Sequence, residues 1–259
     1  MFNKRVIPTL LIEKGKLIKT ENFKSPIYVG DPINVAKIFN EKQVDELVII
    51  DIGSTKLGYP PDFELIGAIA SECFMPVSYG GGIKKYEDAE KILRMGIEKV
   101  IVQDMALNNP QEILKITEVF GVQSVIVSFD VVKTKQGEYC LYARNGMLKR
   151  MYEKKVPVLS KIKLLDSIGV GEYLITSVER EGTLKGLDLN LIKSTSNGTS
   201  SPIIYAGGAS DLEDISKAFS CGAHAVSAGR LFTLHGGFKA VLVSYPKRSD
   251  IKSILNDKL

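Results

Sequence analysis

MPVSYGGGIKKYEDAEKILRMGIEKVIV (residues 75–102) is the first copy of an internal repeat. It can be aligned without a gap to SPIIYAGGASDLEDISKAFSCGAHAVSA (201–228), each residue 126 positions on. The identities include the proline before the strand, the tyrosine within it and the glycine pair that follows. Upstream, DELVIIDIG (45–53) matches GEYLITSVE (171–179) at the same offset. Self-similarity over this length indicates a duplicated architecture. The chain is therefore expected to consist of two related halves.

Short β-branched runs alternate with amphipathic segments along the chain. Each run is too short for a typical helix and is bounded by Gly, Pro or charge, as strands are. Eight strands alternating with about as many helices predict a parallel sheet covered on both faces. An open doubly wound sheet and a closed (β/α)8 barrel both fit. The strand count, the length and the two-fold repeat favour the barrel, as one domain over residues 1–259. The predicted strands are 5–11, 46–52, 76–80, 99–103, 124–130, 173–178, 202–207 and 225–229.

The composition is that of an ordinary soluble globular protein, with 44% apolar and 25% charged residues among 259. No stretch is apolar for long enough to cross a bilayer, and the N-terminus lacks the cleavage signature of a signal peptide. The 34 Lys and Arg residues are interleaved with 30 acids, which disfavours nucleic acid as a partner. Cysteines without CxxC spacing indicate free thiols in a reducing compartment. These features predict a cytoplasmic protein.

Glycines follow the predicted strands at their carboxyl ends, where a barrel of this kind carries its chemistry. Those after the third strand have counterparts after the seventh, at the equivalent place in the second half. A glycine between a strand and a helix lets backbone N–H groups approach an anion. Two such pairs predict two phosphate sites on opposite sides of the barrel mouth, and hence a substrate with a phosphate at each end. The residues predicted to bind phosphate are Gly81, Gly82, Gly182, Gly207, Gly208, Gly229 and Arg230.

One residue suited to catalysis does not repeat. The strand SVIVSFD (124–130) ends in Asp130, a candidate general acid or base, whereas its match RVIPTLL (5–11) ends in Leu11. A plain loop or helix-capping aspartate is the alternative interpretation of this carboxylate. If a duplicated ancestor used one carboxylate from each half, this chain has lost one of them. Glu13 would replace it only if the first loop curled back.

Two connections are long enough to act as lids. The loop 12–31 follows the first strand, and the basic, tyrosine-rich region 131–157 follows the fifth with the turn signals of a hairpin. His224 and His235 form no metal-ligand pattern, so neither a metal nor another cofactor is expected.

Motifs spread over essentially the whole chain resemble the cyclase subunit of imidazole glycerol phosphate synthase, the HisF family. The resemblance rests on KRVI (4–7), GDP (30–32), DELV (45–48) with DI (51–52), GGGI (80–83), TS (176–177), GT (182–183) and GGA (207–209). Members of that family are half-barrel-duplicated (β/α)8 proteins. In them, ammonia from a HisH-like glutaminase enters the amino-terminal face and meets a bis-phosphorylated ribulosyl substrate at the other end. Two aspartates there perform the acid and base steps.

The resemblance implies roles for several charged residues of this chain. The ring of charges that gates ammonia at the barrel floor is kept, although charged residues also commonly begin barrel strands. Lys19 matches the family's substrate-loop lysine. The residues of the expected ammonia gate are Arg5, Glu46, Lys99 and Glu172.

At the mouth, the resemblance makes Asp130 the fifth-strand aspartate and puts Leu11 in place of the first-strand one. The family's Asn-Thr pair is Gln103-Asp104 here, and a strand-six loop aspartate is Glu181. Loss of one acid/base carboxylate costs several powers of ten in rate, so weak or no cyclase activity is expected.

The pattern is most similar to HisF-like paralogues that work with a HisH-like glutaminase and a separate ATP-dependent amidotransferase. Those systems install an amidino group on nucleotide-linked sugars for surface polysaccharides such as lipopolysaccharide. Three alternatives stay open. They are a genuine cyclase of histidine biosynthesis in which Glu13 or water supplies the missing acid, a one-chain sugar-phosphate isomerase, and a binding module without an ammonia path.

Overall fold

The computed structural model describes residues 4–142, 154–237 and 239–256. The strands are β1 (Arg5–Glu13), β2 (Lys16–Glu21), β3 (Lys24–Gly30), β4 (Leu47–Asp51), β5 (Val77–Gly80), β6 (Lys99–Val102), β7 (Val125–Lys133), β8 (Tyr139–Leu141), β9 (Glu172–Ser177), β10 (Ile203–Ala206), β11 (Ala225–Ala228), β12 (Leu234–His235) and β13 (Ala240–Val241). The helices are α1 (Pro32–Glu41), α2 (Ile52–Leu57), α3 (Phe63–Glu72), α4 (Tyr86–Arg94), α5 (Asp104–Asn108), α6 (Pro110–Phe120), α7 (Val158–Asp166), α8 (Leu189–Thr195), α9 (Leu212–Ser220), α10 (Arg230–Thr233) and α11 (Arg248–Asn256).

Eight parallel strands close into a barrel in the order β1, β4, β5, β6, β7, β9, β10 and β11. The sheet is closed because β11 pairs with β1, with Val226 opposite Val6. This confirms the (β/α)8 barrel and excludes the open sheet. All eight strands predicted from the sequence belong to it.

Both faces of the barrel wall are covered, which explains the near-continuous apolar strands. The outer face packs against the helices in the larger of two apolar clusters. The inner face fills the barrel with small and branched side chains, as expected for this fold. The buried members of the inner cluster are Ile7, Val48, Ile101, Ile126, Leu174, Ile204 and Ala225.

Aspartates fix the start of several helices. Asp31, Asp62, Asp188 and Asp211 each accept a hydrogen bond from the backbone N–H three residues further on. Such caps satisfy N–H groups that have no partner within the helix. They therefore set the lengths of the loops between strands and helices.

The two-fold repeat of the sequence is present in the structure. The elements β5 and β10, α4 and α9, and β6 and β11 begin and end at residues 126 apart. In both halves a backbone N–H before the helix binds a carboxylate within it. Lys84 N donates to Asp88 Oδ2 at 3.0 Å, and Ser210 N donates to Asp214 Oδ2 at 3.2 Å.

The prediction of a twenty-residue loop at 12–31 was wrong, because most of this segment forms antiparallel strands joined by two tight turns. β1 runs beyond its predicted end and pairs with β2, which pairs with β3. Each turn contains two residues of positive φ, Lys14 and Gly15 in the first, and Asn22 and Phe23 in the second. Turns of this kind match the twist of the flanking strands. The strands β2 and β3 therefore form an antiparallel extension of the sheet beside the mouth, which we call the β2–β3 hairpin.

The region 131–157 begins as the predicted hairpin, with β7 and β8 antiparallel across a turn that contains Gly137. The second turn signal, at Asn145 and Gly146, lies outside the described residues. Within the described ranges, no helix has the length and apolar character to span a bilayer.

Candidate functional site

Four charged side chains meet inside the amino-terminal end of the barrel, and we call them the floor cluster: Arg5, Glu46, Lys99 and Glu172. The Arg5 guanidinium lies 2.5 Å from Glu46 and 2.6 Å from Glu172. The Lys99 ammonium lies 3.2 Å from Glu46 and 2.8 Å from Glu172. Each cation thus bridges both carboxylates, and the four charges form a closed ring.

The floor cluster is largely shielded from water. Glu46 is 2% exposed and also accepts a hydrogen bond from Ser78 Oγ at 2.8 Å. Burial acts to lower the pKa of Arg5, but its bonds with Glu172 and Glu46 outweigh burial, so the pKa is raised. Burial acts to raise the pKa of Glu172, but Arg5 and Lys99 hold it below its ordinary value. The ring is therefore a set of ions that stabilise one another's charge.

At the opposite end of the barrel, the carboxylate of Asp130 lies half-buried on the inner face of β7. Gln103 Nε2 donates a hydrogen bond to its Oδ2 at 3.1 Å. Desolvation raises the pKa of Asp130 to about 6, with Gln103 acting to lower it and the charge of Glu181 acting to raise it. A carboxyl group with this pKa can exchange a proton near neutral pH.

The strand opposite β7 presents Leu11 and not a second acid. Alternation along β1 places this side chain on the same face as Ile7 of the inner cluster. Glu13 does not replace it, because its carboxylate pairs with Lys56 at 3.0 Å. Asp51 caps the short helix α2. Chemistry at the mouth that needs one carboxylate from each half of the barrel therefore lacks one partner.

The glycine pairs of the two halves have positive φ and pack closely against neighbouring loops. A Cβ atom at Gly82 would lie 3.0 Å from Tyr59 O, and one at Gly207 would lie 2.6 Å from Ser177 O. Close packing against neighbouring loops is therefore sufficient to explain why these positions are glycine, without a bound phosphate. The glycines alone do not establish a ligand.

Lys19 reaches from β2 into the mouth, where its ammonium occupies the space in which a side chain at Gly229 would begin. The residue is 5% exposed. Across the described ranges, no carboxylate lies within ion-pair distance of this ammonium and no hydrogen bond of it is found. Burial lowers the pKa of Lys19, and the charge of Glu181 acts in the opposite direction.

Arg230, predicted to contact an anion, is bound to protein groups. Its Nη1 donates to Glu21 Oε2 at 3.1 Å and to Gly182 O, while its buried Nε has no partner in the part of the chain described. A cavity of about 350 Å³ opens here between the β2–β3 hairpin and the segment after α10. The charged residues that line it are Lys19, Glu21, Lys24, Arg230 and Lys239.

The β2–β3 hairpin is fastened to the loop after β9. Asn22 Nδ2 donates to Val178 O at 3.1 Å and to Glu179 O at 2.7 Å. Thr20 Oγ1 donates to Glu181 Oε2 at 3.1 Å. Sequence reasoning missed these contacts, because the polar residues of the hairpin form no motif.

The two histidines lie apart. His224 Nδ1 accepts a hydrogen bond from Ile203 N at 3.2 Å at the amino-terminal face, and His235 Nε2 is 2.9 Å from Ser244 Oγ. Within residues 4–142, 154–237 and 239–256, no group of three or more His, Cys, Asp or Glu is placed to hold a metal ion.

The closed barrel and the repeat that relates its two halves place this chain among the duplicated (β/α)8 barrel proteins. The chain belongs to the histidine biosynthesis protein family, whose model matches residues 5–239.

Relatives of this chain carry names from the same family. It is 44% identical over 248 residues to a Pseudomonas aeruginosa protein provisionally named imidazole glycerol phosphate synthase subunit hisF2, covering 95% of this chain and 97% of that one. It is 40% identical to a Vibrio vulnificus protein provisionally named subunit hisF3, covering 98% and 97%. Identity to the imidazole glycerol phosphate synthase subunit HisF of Exiguobacterium sibiricum is 34%, covering 90% and 91%.

Proposed function

We propose that this chain is the HisF-like synthase subunit of a glutamine amidotransferase, and that it takes ammonia from a HisH-like glutaminase through the barrel. The observation that carries the proposal is the closed floor cluster of Arg5, Glu46, Lys99 and Glu172. Three of these ions are buried and Arg5 is partly buried. Burying an ion pair contributes little net stability, so the cluster points to a role other than stability. A gate at the entrance of an internal path is such a purpose.

The barrel above the floor cluster suits a small neutral molecule. Its inner wall is aliphatic, with Ile7, Val48 and Ile126 among its buried side chains. Ammonia has no net charge to desolvate there, whereas ammonium does. Passage would require one cation of the ring to move away from a carboxylate, so the gate opens without unfolding the barrel.

Exposed apolar side chains on the amino-terminal face support a protein partner at the gate. Phe74, between α3 and β5, is 94% exposed, and Val122, just before β7, is 49% exposed. Contiguous exposed apolar surface marks interaction sites, and we propose that these two side chains contribute to such a surface. Both belong to loops that precede barrel strands, on the side of the floor cluster. The glutaminase is the partner that the gate requires.

The mouth supports a function other than the two-acid cyclase reaction. Leu11 faces the barrel where the second acid is needed, and Glu13 is held by Lys56. Following the HisF-like paralogues that the sequence resembles, we propose that the ammonia serves amidination of a nucleotide-linked sugar in surface glycan or lipopolysaccharide biosynthesis in the cytoplasm. A separate ATP-dependent sugar amidotransferase is then a further partner. We assign proton transfer at the mouth to Asp130, whose pKa is raised, and the proposal involves neither a cofactor nor a membrane.

Replacing Phe74 tests the docking face. Phe74→Glu is expected to weaken binding of a HisH-like glutaminase at least about tenfold, since a buried aromatic anchor contributes about 2 kcal/mol or more. Leu57→Glu is the matched control, because Leu57 is 52% exposed but follows β4 at the other end of the barrel. Titration calorimetry with the co-expressed glutaminase measures both. Equal binding by the two variants, or no binding by the unmodified chain, would contradict the proposal.

A further inference from the structure

The mouth contains two equivalent places, one in each half of the barrel, at the starts of α5 and α10. We call them half-sites, and they carry opposite charges. The offset of 126 residues that relates the two halves also relates Gln103 to Gly229 and Asp104 to Arg230. The backbone agrees, since Gln103 precedes α5 with φ −126° and ψ −64°, and Gly229 precedes α10 with φ −109° and ψ −63°. The same place in the fold therefore holds a carboxylate in one half and a guanidinium in the other.

The half-site beside α10 is suited to an anion. The Lys19 ammonium is 5% exposed and, over the described part of the chain, has no ion-pair partner. The adjoining cavity of about 350 Å³ is lined by Lys19, Lys24, Arg230 and Lys239 against one carboxylate, Glu21. Burying a cation without a counter-ion is costly, and a bound anion removes that cost.

The half-site beside α5 is not suited to an anion. Asp104 is the first residue of α5 and accepts a hydrogen bond from Asn108 Nδ2 at 2.7 Å. The Gln103 amide is directed inward to Asp130. In the loop before α4, Lys84 and Lys85 are exposed; Lys84 Nζ donates to Gly58 O, and Lys85 pairs with Glu87. A second phosphate would therefore meet a carboxylate.

We propose that the mouth binds a ligand that is phosphorylated at one end only, with the phosphate at Lys19 and an uncharged or cationic end at Asp104. This replaces the symmetric two-phosphate ligand expected from the repeat, and it rests on the proposed function in taking the mouth as the ligand site. A phosphate dianion matches the excess of cations in the cavity, because each charge-assisted hydrogen bond contributes about 1.5–3 kcal/mol.

Calorimetry with two small probes, ribose 5-phosphate and ribulose 1,5-bisphosphate, tests the inference on the full chain. The unmodified protein is expected to bind the monophosphate at least as tightly as the bisphosphate. Lys19→Met should weaken both at least about tenfold, the loss of one charge-assisted contact. Asp104→Asn keeps the shape of the side chain and should strengthen bisphosphate binding about fivefold or more, with the monophosphate unchanged.

Three results would overturn the inference: tighter binding of the bisphosphate by the unmodified chain, no effect of Lys19→Met, or no detectable binding of either probe. Circular dichroism and the unfolding midpoint of each variant show that it is folded. The glutaminase-binding measurement is independent, because Lys19 and Asp104 lie at the end of the barrel away from the floor cluster. If the unmodified chain does not bind the glutaminase, the proposed function is overturned, but the binding of the two phosphate probes still tests the inference about the mouth.

Discussion

Lys99→Met is expected to lower the free energy of unfolding by about 3 kcal/mol at neutral pH. Lys99 is 7% exposed and lies within 3.2 Å of Glu46 and 2.8 Å of Glu172. Methionine fills a similar volume but leaves two carboxylates to share Arg5. One buried negative charge is then uncompensated, and that, more than the lost attraction, is what destabilises the fold.

The measurement is urea unfolding of the variant and the parent, followed by circular dichroism. Lys217→Met is the matched control, because Lys217 forms a 2.7 Å pair with Glu213 one helical turn away but is largely exposed. The control is expected to leave the unfolding midpoint unchanged, since exposed pairs contribute little. A Lys99→Met protein as stable as the control would show that the floor cluster is not a coupled network.

Asp130→Asn is expected to stabilise the protein by about 3 kcal/mol above pH 7. The pKa of Asp130 is raised from 3.8 to about 6 by desolvation, and each unit corresponds to about 1.36 kcal/mol. The folded state therefore disfavours the ionised form, and stability falls as the pH rises from the unfolded pKa through the folded one. Asparagine removes this penalty and can still accept the hydrogen bond from Gln103.

The pH dependence separates this effect from a general change in packing. The gain should be full near pH 8 and should vanish near pH 4, where the parent carboxyl is protonated in both states. Asp104→Asn, at an exposed aspartate of the same mouth, should show no such dependence. A gain that is equal at both pH values would contradict the assignment of a raised pKa to Asp130. Such stabilisation is typical of residues retained for function at the cost of stability.

The barrel could be predicted from the sequence because its strands are apolar on both faces and are repeated at a fixed offset. The β2–β3 hairpin could not, because its second turn is built from Asn22 and Phe23, which carry no glycine signal. The three short helices α2, α5 and α10 were also missed. Each has only four to six residues, too few to show a helical period.

The charges of the floor cluster were anticipated from the family resemblance, and each begins or precedes a strand, which agrees with their position at one end of the barrel. The hydrogen bond from Ser78 Oγ to Glu46 could not be anticipated, since a lone serine in a strand has no distinctive pattern. The unpaired state of Lys19 and the bonding of Arg230 to Glu21 depend on the hairpin that the sequence did not reveal. The asymmetry of the mouth is therefore a finding of the structure, although the reversal from Asp104 to Arg230 is visible in the repeat.

The most direct test of the account is turnover of the bis-phosphorylated ribulosyl substrate by the purified chain at high ammonium, without glutamine. The Exiguobacterium sibiricum relative is the positive control under the same conditions. With Leu11 in place of the second acid, we expect no product above the background of the uncatalysed reaction. Turnover at a rate comparable with that of the control would contradict it and make the chain a cyclase of histidine biosynthesis.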